Sequence, residues 1–378
     1  MPPITTRAAV LRKTGTERPY SEHQPLAIEE FTLTPPDQGE LLIKIRAAGL
    51  CHSDLSVING DRPRDLPMVL GHEAAGEVVE VGPNVTRFAA GDHVVLSFVP
   101  SCGSCAACLD GHAALCAPGA RANGEGVLLN GGRHLYQGDT AINHHLGVSG
   151  FAEYAVVSER SAVKIDKEMP FDVAAVFGCA VLTGAGALLQ TAKLRAGQSV
   201  LIVGLGGVGL SAVLAAIAAG ARRVIVADIQ QSKIDQALAL GADIGVLSSQ
   251  TDAIEHVLSE SEGGVDIAAD YAGVAAALEF AYACTRQGGT TVSAGLPHPD
   301  ARIQLSPSQL VAQERKLLGS YLGGHVPALD TLEYMALYRS GRLPVDQLIT
   351  HRITLDQINE GFERLAAGEA IRQIILFD

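Results

Sequence analysis

Four cysteines, Cys102, Cys105, Cys108 and Cys116, stand in the run SCGSCAACLDGHAALC with the spacing C-x2-C-x2-C-x7-C. Four thiolates closing around one ion is what a tetrahedral structural Zn2+ needs. An iron–sulfur cluster shares the opening C-x2-C-x2-C but usually continues C-x3-C-P, whereas seven residues intervene here and Ala117 follows Cys116. Zinc is the expected occupant, ahead of a cluster and ahead of unligated or disulfide-bonded cysteines. Subtracting these four leaves Cys51, in GLCHSDLSVINGD, Cys179, in AAVFGCAVLTGAG, and Cys284. Between the first two lies LGHEAAGEVVEVG with His72 and Glu73. A catalytic zinc takes three protein ligands and keeps an open position, and Cys/His/Cys is one such set. On spacing alone, two inert buried thiols and a polar loop histidine read equally well.

A second chemistry is written in VLIVGLGGVGL, where Gly204, Gly206 and Gly209 form G-x-G-x-x-G between a strand-like run and an Ala-rich helical one. Gly204 permits the tight turn, Gly206 lets the backbone approach a pyrophosphate, and Gly209 allows close helix–strand packing. Gly207 and Val208 lie at the helix start, whose N–H groups and dipole favour phosphate. Asp228 ends RRVIVAD, nineteen residues beyond Gly209. A carboxylate there binds the adenosine ribose hydroxyls and repels a 2′-phosphate, so NAD is expected rather than NADP. Lys233 reads as a second ribose contact or as an ordinary surface lysine.

The elements that must position these groups differ between two parts of the chain. Residues 1–180 are dense in short Val/Ile-rich runs (ELLIKIRAAGL, AAGEVVEVG, DHVVLSFV) bounded by Gly, Pro and Asp, which predicts a β-rich domain. Residues 181–320 alternate buried strands (SVLIVG, RRVIVADI, DIAADYAG, GGTTVSAGL) with Ala/Leu-rich helices, which predicts a doubly wound parallel α/β sheet. The tail, 321–378, ends in IRQIILF, a candidate strand returning to the first domain. At 378 residues the chain is long enough for two cores. A net charge of −13 with no basic run argues against nucleic acid. The apolar stretch 200–219 is broken by four glycines, which suits strand–turn–helix better than a membrane span. The N-terminus MPPITTRAAVLRKTG shows no secretory pattern, and clustered, odd-numbered cysteines fit reduced thiols in a cytoplasm.

The segments CHSD, GHEAAGEVVEVG, the four-cysteine run, FGCAVLTGAGA and VGLGGVGLSAV, in this order, resemble the zinc-dependent alcohol dehydrogenases of the medium-chain dehydrogenase/reductase superfamily. The resemblance runs from about residue 7 to the C-terminus. The long stretch between Cys116 and GFAEYAVV is similar to the dimeric branches that include the class I, class III and bacterial aryl/alkyl enzymes. It implies a GroES-like catalytic domain (1–180 and 321–378, with a zinc lobe near 100–117), an inserted Rossmann domain (181–320), two Zn2+ per subunit, NAD, and a homodimer. Carried over residue by residue, it makes Cys51, His72 and Cys179 the catalytic zinc ligands. Cys102, Cys105, Cys108 and Cys116 become the structural set, with Glu73 a carboxylate behind the metal and Asp54 the hydrogen-bond partner of the ligand histidine. Ser53 resembles the hydroxyl that takes the substrate proton, and Thr183 and Leu296 neighbours of the nicotinamide. His52 and Arg372 stand where relatives hold the coenzyme pyrophosphate. Phe98, Arg121 and Leu296 are the expected pocket lining. Cys284 has no matching role, and His144–His145 reads as a solvated loop.

The implied chemistry is oxidation of a primary alkyl, allylic or aromatic alcohol, and the reverse reduction. An alcohol ionises near neutrality only when coordinated to a cation such as Zn2+, and its hydride then passes to nicotinamide C4. Where many relatives end the proton relay on a histidine, this chain has Ser56, so water or His52 is the expected acceptor. S-(Hydroxymethyl)glutathione is the alternative substrate, with Arg121 near the position that meets the thiol's carboxylate. A non-catalytic NAD(H)-binding protein is the alternative from another class, and it predicts broken zinc ligands, of which the chain has none.

Overall fold

The computed structural model describes residues 2–378. The chain forms two compact units, Met1–Cys179 with Ile349–Asp378, and Ala180–Leu348. The first unit holds a closed barrel and a seven-stranded sheet. Barrel strands Ile4–Leu11, Leu26–Leu33, Leu135–Gln137, Thr140–His144 and Met68–Val69 enclose Val10, Phe31, Leu33, Val69, Leu135 and Ile142. The sheet is built on the ten-residue strand Glu40–Gly49, whose inward residues Leu41, Ile43 and Ile45 are fully buried. It pairs antiparallel with Glu73–Val81, with Tyr154–Ser158 and with the C-terminal strand Arg372–Leu376. The tail strand read from IRQIILF therefore does return to this sheet.

One register decides the site. Gly49 lies opposite Glu73 in the antiparallel pair. Cys51 follows two residues after Gly49 and His72 precedes Glu73, so the two ends that carry them meet at the same end of the paired strands. Helix His52–Ile58 starts at once after Cys51. Cys179 arrives on a helical stretch, Phe171–Val176, that continues as a π-helical turn, Phe177–Val181. Gly178 lies within it where a Cβ would stand only 2.6 Å from the Leu96 carbonyl oxygen. The apolar run Phe171–Thr191 has the length and hydropathy of a membrane span, but 89% of it is buried inside the molecule, as a core helix is.

The second unit is a six-stranded, wholly parallel sheet in the spatial order Ile244–Leu247, Arg223–Asp228, Ser199–Val203, Val265–Asp270, Thr285–Ser293, Lys316–Gly319. Numbered along the chain this order is 3-2-1-4-5-6, the doubly wound dinucleotide-binding arrangement. Helix Gly207–Ala218 is buried from Gly209 through Ala216, which explains why its sequence is apolar on every side. The unit runs on to Leu348, so the return to the first unit falls at Ile349 rather than at the expected residue 321. Helix Pro327–Arg339 buries Tyr334 and Met335, and its Asp330 accepts a hydrogen bond from Gln190 at 3.3 Å. These contacts tie it to the parallel-sheet unit, a tertiary choice that mixed sequence texture does not reveal.

Gly209 has no room for a side chain, because a Cβ would overlap the Gly204 carbonyl oxygen. Gly209→Ala is expected to destabilise the second unit by about 1–3 kcal/mol through overpacking. Urea unfolding of the variant against wild type checks the value.

Candidate metal centres and active site

Cys102, Cys105, Cys108 and Cys116 converge with their sulfurs within 4.8 Å of one another. The loop aims backbone N–H groups at sulfur: Cys102 and Gly119 donate to Cys116 Sγ at 3.2 and 3.4 Å, and Cys105 donates to Cys102 Sγ at 3.4 Å. The Gly103 φ of 76° makes the turn between the first two ligands. Hydrogen bonds from the Ser104 backbone bring the Cys102 thiol down to about 6, while burial pushes Cys108 up to about 12. Thiols this close oppose one another's ionisation, and a dication is what allows all four to be thiolates. The set fits a structural zinc.

The second cluster is the one that sequence left open. Cys51, His72, Glu73 and Cys179 are all buried, each with a ligand atom within 4.8 Å of the others. The Cys51 thiol is held well below its ordinary value by its hydrogen bond with Cys179, against burial and with help from His72. Burial works to lower His72, but Asp54 and Cys51 overcome it and raise the imidazole to about 10. His72 Nε2 is a buried atom without a well-formed hydrogen bond, 3.9 Å from Glu73 Oε1. Two sulfurs and one nitrogen in a pocket that favours thiolate and positive charge match a Cys/His/Cys zinc with an open position.

Behind the ligands, Asp54 is fully buried and accepts from Gly71 N at 3.0 Å and from His72 Nδ1 at 3.1 Å. Burial would raise its carboxyl, yet His72 and His145 hold it at about 2. Glu73 is paired with the Arg372 guanidinium, which is itself only 4% exposed. Arg372, expected at the coenzyme phosphates, thus lies against a buried carboxylate. Gly49 lies beside this pair, and a Cβ there would stand 2.6 Å from Glu73 Oε2.

Other expected residues take the following places. Ser53 is half-buried and His52 exposed in the first turn of helix His52–Ile58. The Ser56 hydroxyl donates back to the Ser53 carbonyl at 2.8 Å, so it is turned onto its own helix rather than along a relay. The Phe98 ring meets His72 edge-on, with centroids 5.3 Å apart. Arg121 is exposed on helix Ala117–Glu125. In the second unit, Thr183 is half-buried on helix Leu182–Gly186, and Leu296 is 54% exposed. Gly204 adopts a φ of 88°, and a Cβ on exposed Gly206 would meet no protein atom, leaving the space a phosphate requires. Gly207 and Val208, both half-buried, open the following helix. Asp228 Oδ2 accepts from Leu205 N at 2.8 Å and Oδ1 from Gln230 N at 3.0 Å, which fixes the carboxylate beside the glycine turn. Lys233 is half-buried on helix Gln231–Ala239. Cys284 is buried, and that burial pushes its thiol up to about 12, as an inert core thiol requires.

The solvated-loop reading of His144–His145 is overturned: both are buried, and burial drives His144 down to about 3. His145 Nδ1 lies 3.1 Å from Asp54 Oδ1. The one sequence signal for this was the apolar company of the pair, Ile142 before and Leu146 and Val148 after. Asn123 was also missed; its Nδ2 donates to the Phe98 carbonyl at 2.8 Å and nothing in its local sequence marks it.

A GroES-like unit carrying two thiol-rich clusters, each able to hold a metal ion, joined to a parallel sheet of the dinucleotide-binding order, fits a zinc-binding dehydrogenase. Residues 37–167 match the alcohol dehydrogenase GroES-like domain, and residues 207–337 the zinc-binding dehydrogenase domain. The chain belongs to the zinc-dependent alcohol dehydrogenases of the medium-chain dehydrogenase/reductase superfamily. It is 36% identical to the NDMA-dependent alcohol dehydrogenase of Amycolatopsis methanolica, over 99% of each chain. It is 34% identical to the S-(hydroxymethyl)glutathione dehydrogenase of Paracoccus denitrificans, over 99% of this chain and 100% of that one. The crystal structure of benzyl alcohol dehydrogenase from Acinetobacter calcoaceticus superposes with a TM-score of 0.92 at 31% identity, covering 99% of this chain and 100% of that one.

Cys108→Ser is expected to remove one zinc per subunit and to lower the thermal midpoint by roughly 5–10 °C. Turnover per folded molecule should stay near wild type. Metal analysis, a thermal melt and an initial-rate assay on the same preparation check all three.

Proposed function

We propose that the protein oxidises primary alcohols, alkyl, allylic or aromatic, to aldehydes with NAD, and catalyses the reverse reduction. The observation that carries this reading is the buried convergence of Cys51, His72 and Cys179, with His72 Nε2 left for a metal. A zinc bound there would supply Lewis acidity at the substrate oxygen. Ser53 Oγ takes the alcohol proton. Ser56 is committed to the Ser53 carbonyl, so the proton leaves Ser53 for water or for exposed His52 in the same turn. Phe98, set edge-on to His72, gives the substrate an apolar wall beside the metal. Gly206 and the helix that follows would hold the nucleotide phosphates, and Asp228 would receive the adenosine ribose, a carboxylate that favours NAD over NADP.

The glutathione reading is supported by the Paracoccus relative and by the exposed guanidinium of Arg121, which a thiol's carboxylate could meet. The same proposal takes the enzyme as a cytoplasmic homodimer that binds neither nucleic acid nor membrane. The unpaired edge of strand Lys316–Gly319, at the end of the parallel sheet, offers a second copy its backbone groups.

The deciding experiment is a panel of alcohols with NAD, NADP or NDMA as acceptor, with and without glutathione, on protein assayed for zinc. Two zincs per subunit and glutathione-independent oxidation with NAD are expected; one zinc would remove the catalytic assignment. In the same assay Asp228→Asn should raise kcat/KM for NADP relative to NAD by about tenfold, since it deletes the charge that repels a 2′-phosphate.

A further inference from the structure

Asp54 has one partner more than the orientation of a ligand histidine needs. We propose that His145 is a positioning residue for the reaction: acting through Asp54, it fixes the ring of His72 and with it the geometry of the catalytic metal. The inference rests on the catalytic-zinc reading above.

His145 Nδ1 stands 3.1 Å from Asp54 Oδ1, the oxygen that also accepts Gly71 N–H at 3.0 Å and faces His72 Nδ1 at 3.1 Å. Asp54, His72 and His145 are 0%, 0% and 1% exposed, so no solvent competes for these contacts. The terminal torsion of an aspartate is broad, and a carboxylate held from the His72 side alone keeps freedom to rotate. His145 comes from a different segment and removes that freedom. Facing a carboxylate, both imidazoles carry hydrogen on Nδ1, which leaves the His72 Nε2 lone pair for the metal. The His145 ring also stands edge-on to His72, with centroids 5.7 Å apart at 84°, and Phe98 does the same at 5.3 Å and 88°.

The segment that delivers His145 is stiff. Its N–H donates to Ser149 Oγ at 2.9 Å, and its carbonyl accepts from Val148 N and Ser149 N at 3.1 and 3.2 Å. Leu146 and Ser149 both adopt a φ of 52°, a left-handed backbone that side-chain-bearing residues keep only where their surroundings over-determine it. The turn is tied to the ligand segment, since Gly150 N donates to the Gly71 carbonyl at 2.8 Å and Phe151 N to the Leu70 carbonyl at 3.1 Å. His72 and His145 are thus held in one frame, with Asp54 between them.

Asn places its amide where the histidine has Nδ1, so His145→Asn keeps a donor to Asp54 and His145→Ala removes it. Wild type and both variants are loaded with zinc and dialysed against a chelator, and zinc per subunit is followed with time. The catalytic metal is then replaced by Co2+ and its visible spectrum recorded, beside kcat and the KM for alcohol and NAD. His145→Ala is expected to lose one of the two zincs about 10–100-fold faster, to show a shifted Co2+ spectrum, and to lose kcat without a change in KM for NAD. His145→Asn should lie close to wild type. If His145→Ala does not fold, His145→Leu, which restores volume without a donor, takes its place in the comparison. A donorless variant that keeps both zincs at the wild-type rate with an unaltered Co2+ spectrum overturns the proposal. So does a His145→Asn protein as impaired as His145→Ala. A wild type that holds only one zinc removes the catalytic-zinc reading itself, and this inference with it.

Discussion

An ionised carboxylate fully withdrawn from water must be answered by donors, and the centre of the first unit is arranged around that demand. Asp54 gathers a backbone N–H from Gly71 and two imidazole nitrogens from separate segments. Without them its burial would neutralise it or unfold the region. With them it becomes a fixed negative point that sets the tautomer and tilt of His72. Glu73, one residue further on, meets the same demand through Arg372 from the C-terminal strand. Two buried carboxylates thus tie together parts of the chain that are far apart in sequence, directly behind the place where the thiols converge.

The two thiol clusters are built by opposite strategies. In the four-cysteine loop the ligands lie within fifteen residues, and the loop's own N–H groups steady the sulfurs. Such a pocket needs little from the rest of the fold. The other draws Cys51 from the end of a long strand, His72 from the segment before its antiparallel partner, and Cys179 from a π-helical turn. Its geometry is only as good as the register of Gly49 against Glu73 and the close seat of Gly178 on Leu96. In this cluster the surrounding core, and not a ligand loop, limits how the side chains move.

The second unit shows the same division between local and assembled features. The glycine turn is local, with Gly204 supplying a positive φ and Gly206 an open face. Asp228 belongs to the next strand, yet both its oxygens are occupied by N–H groups that fix it beside that turn. The parallel pairing of Ser199–Val203 with Arg223–Asp228 sets the turn and the aspartate side by side at the carboxyl ends of neighbouring strands.

The sequence by itself determined whatever depends on residue type at short range. The thiol knot, the glycine turn with its distant aspartate, the strand-rich and alternating halves, and the family were all legible, because spacing alone dictates a metal loop, a phosphate turn and a burial period. Tertiary structure decided what depends on contacts across the chain. It set the helix Pro327–Arg339 in the parallel-sheet unit and moved the boundary to Ile349. It paired Arg372 with Glu73, and placed His145 in the core beside Asp54, where a wet loop was expected. For Arg372 and His145 the deciding contact is with a buried carboxylate, and no local pattern of residues records which partner the fold will bring.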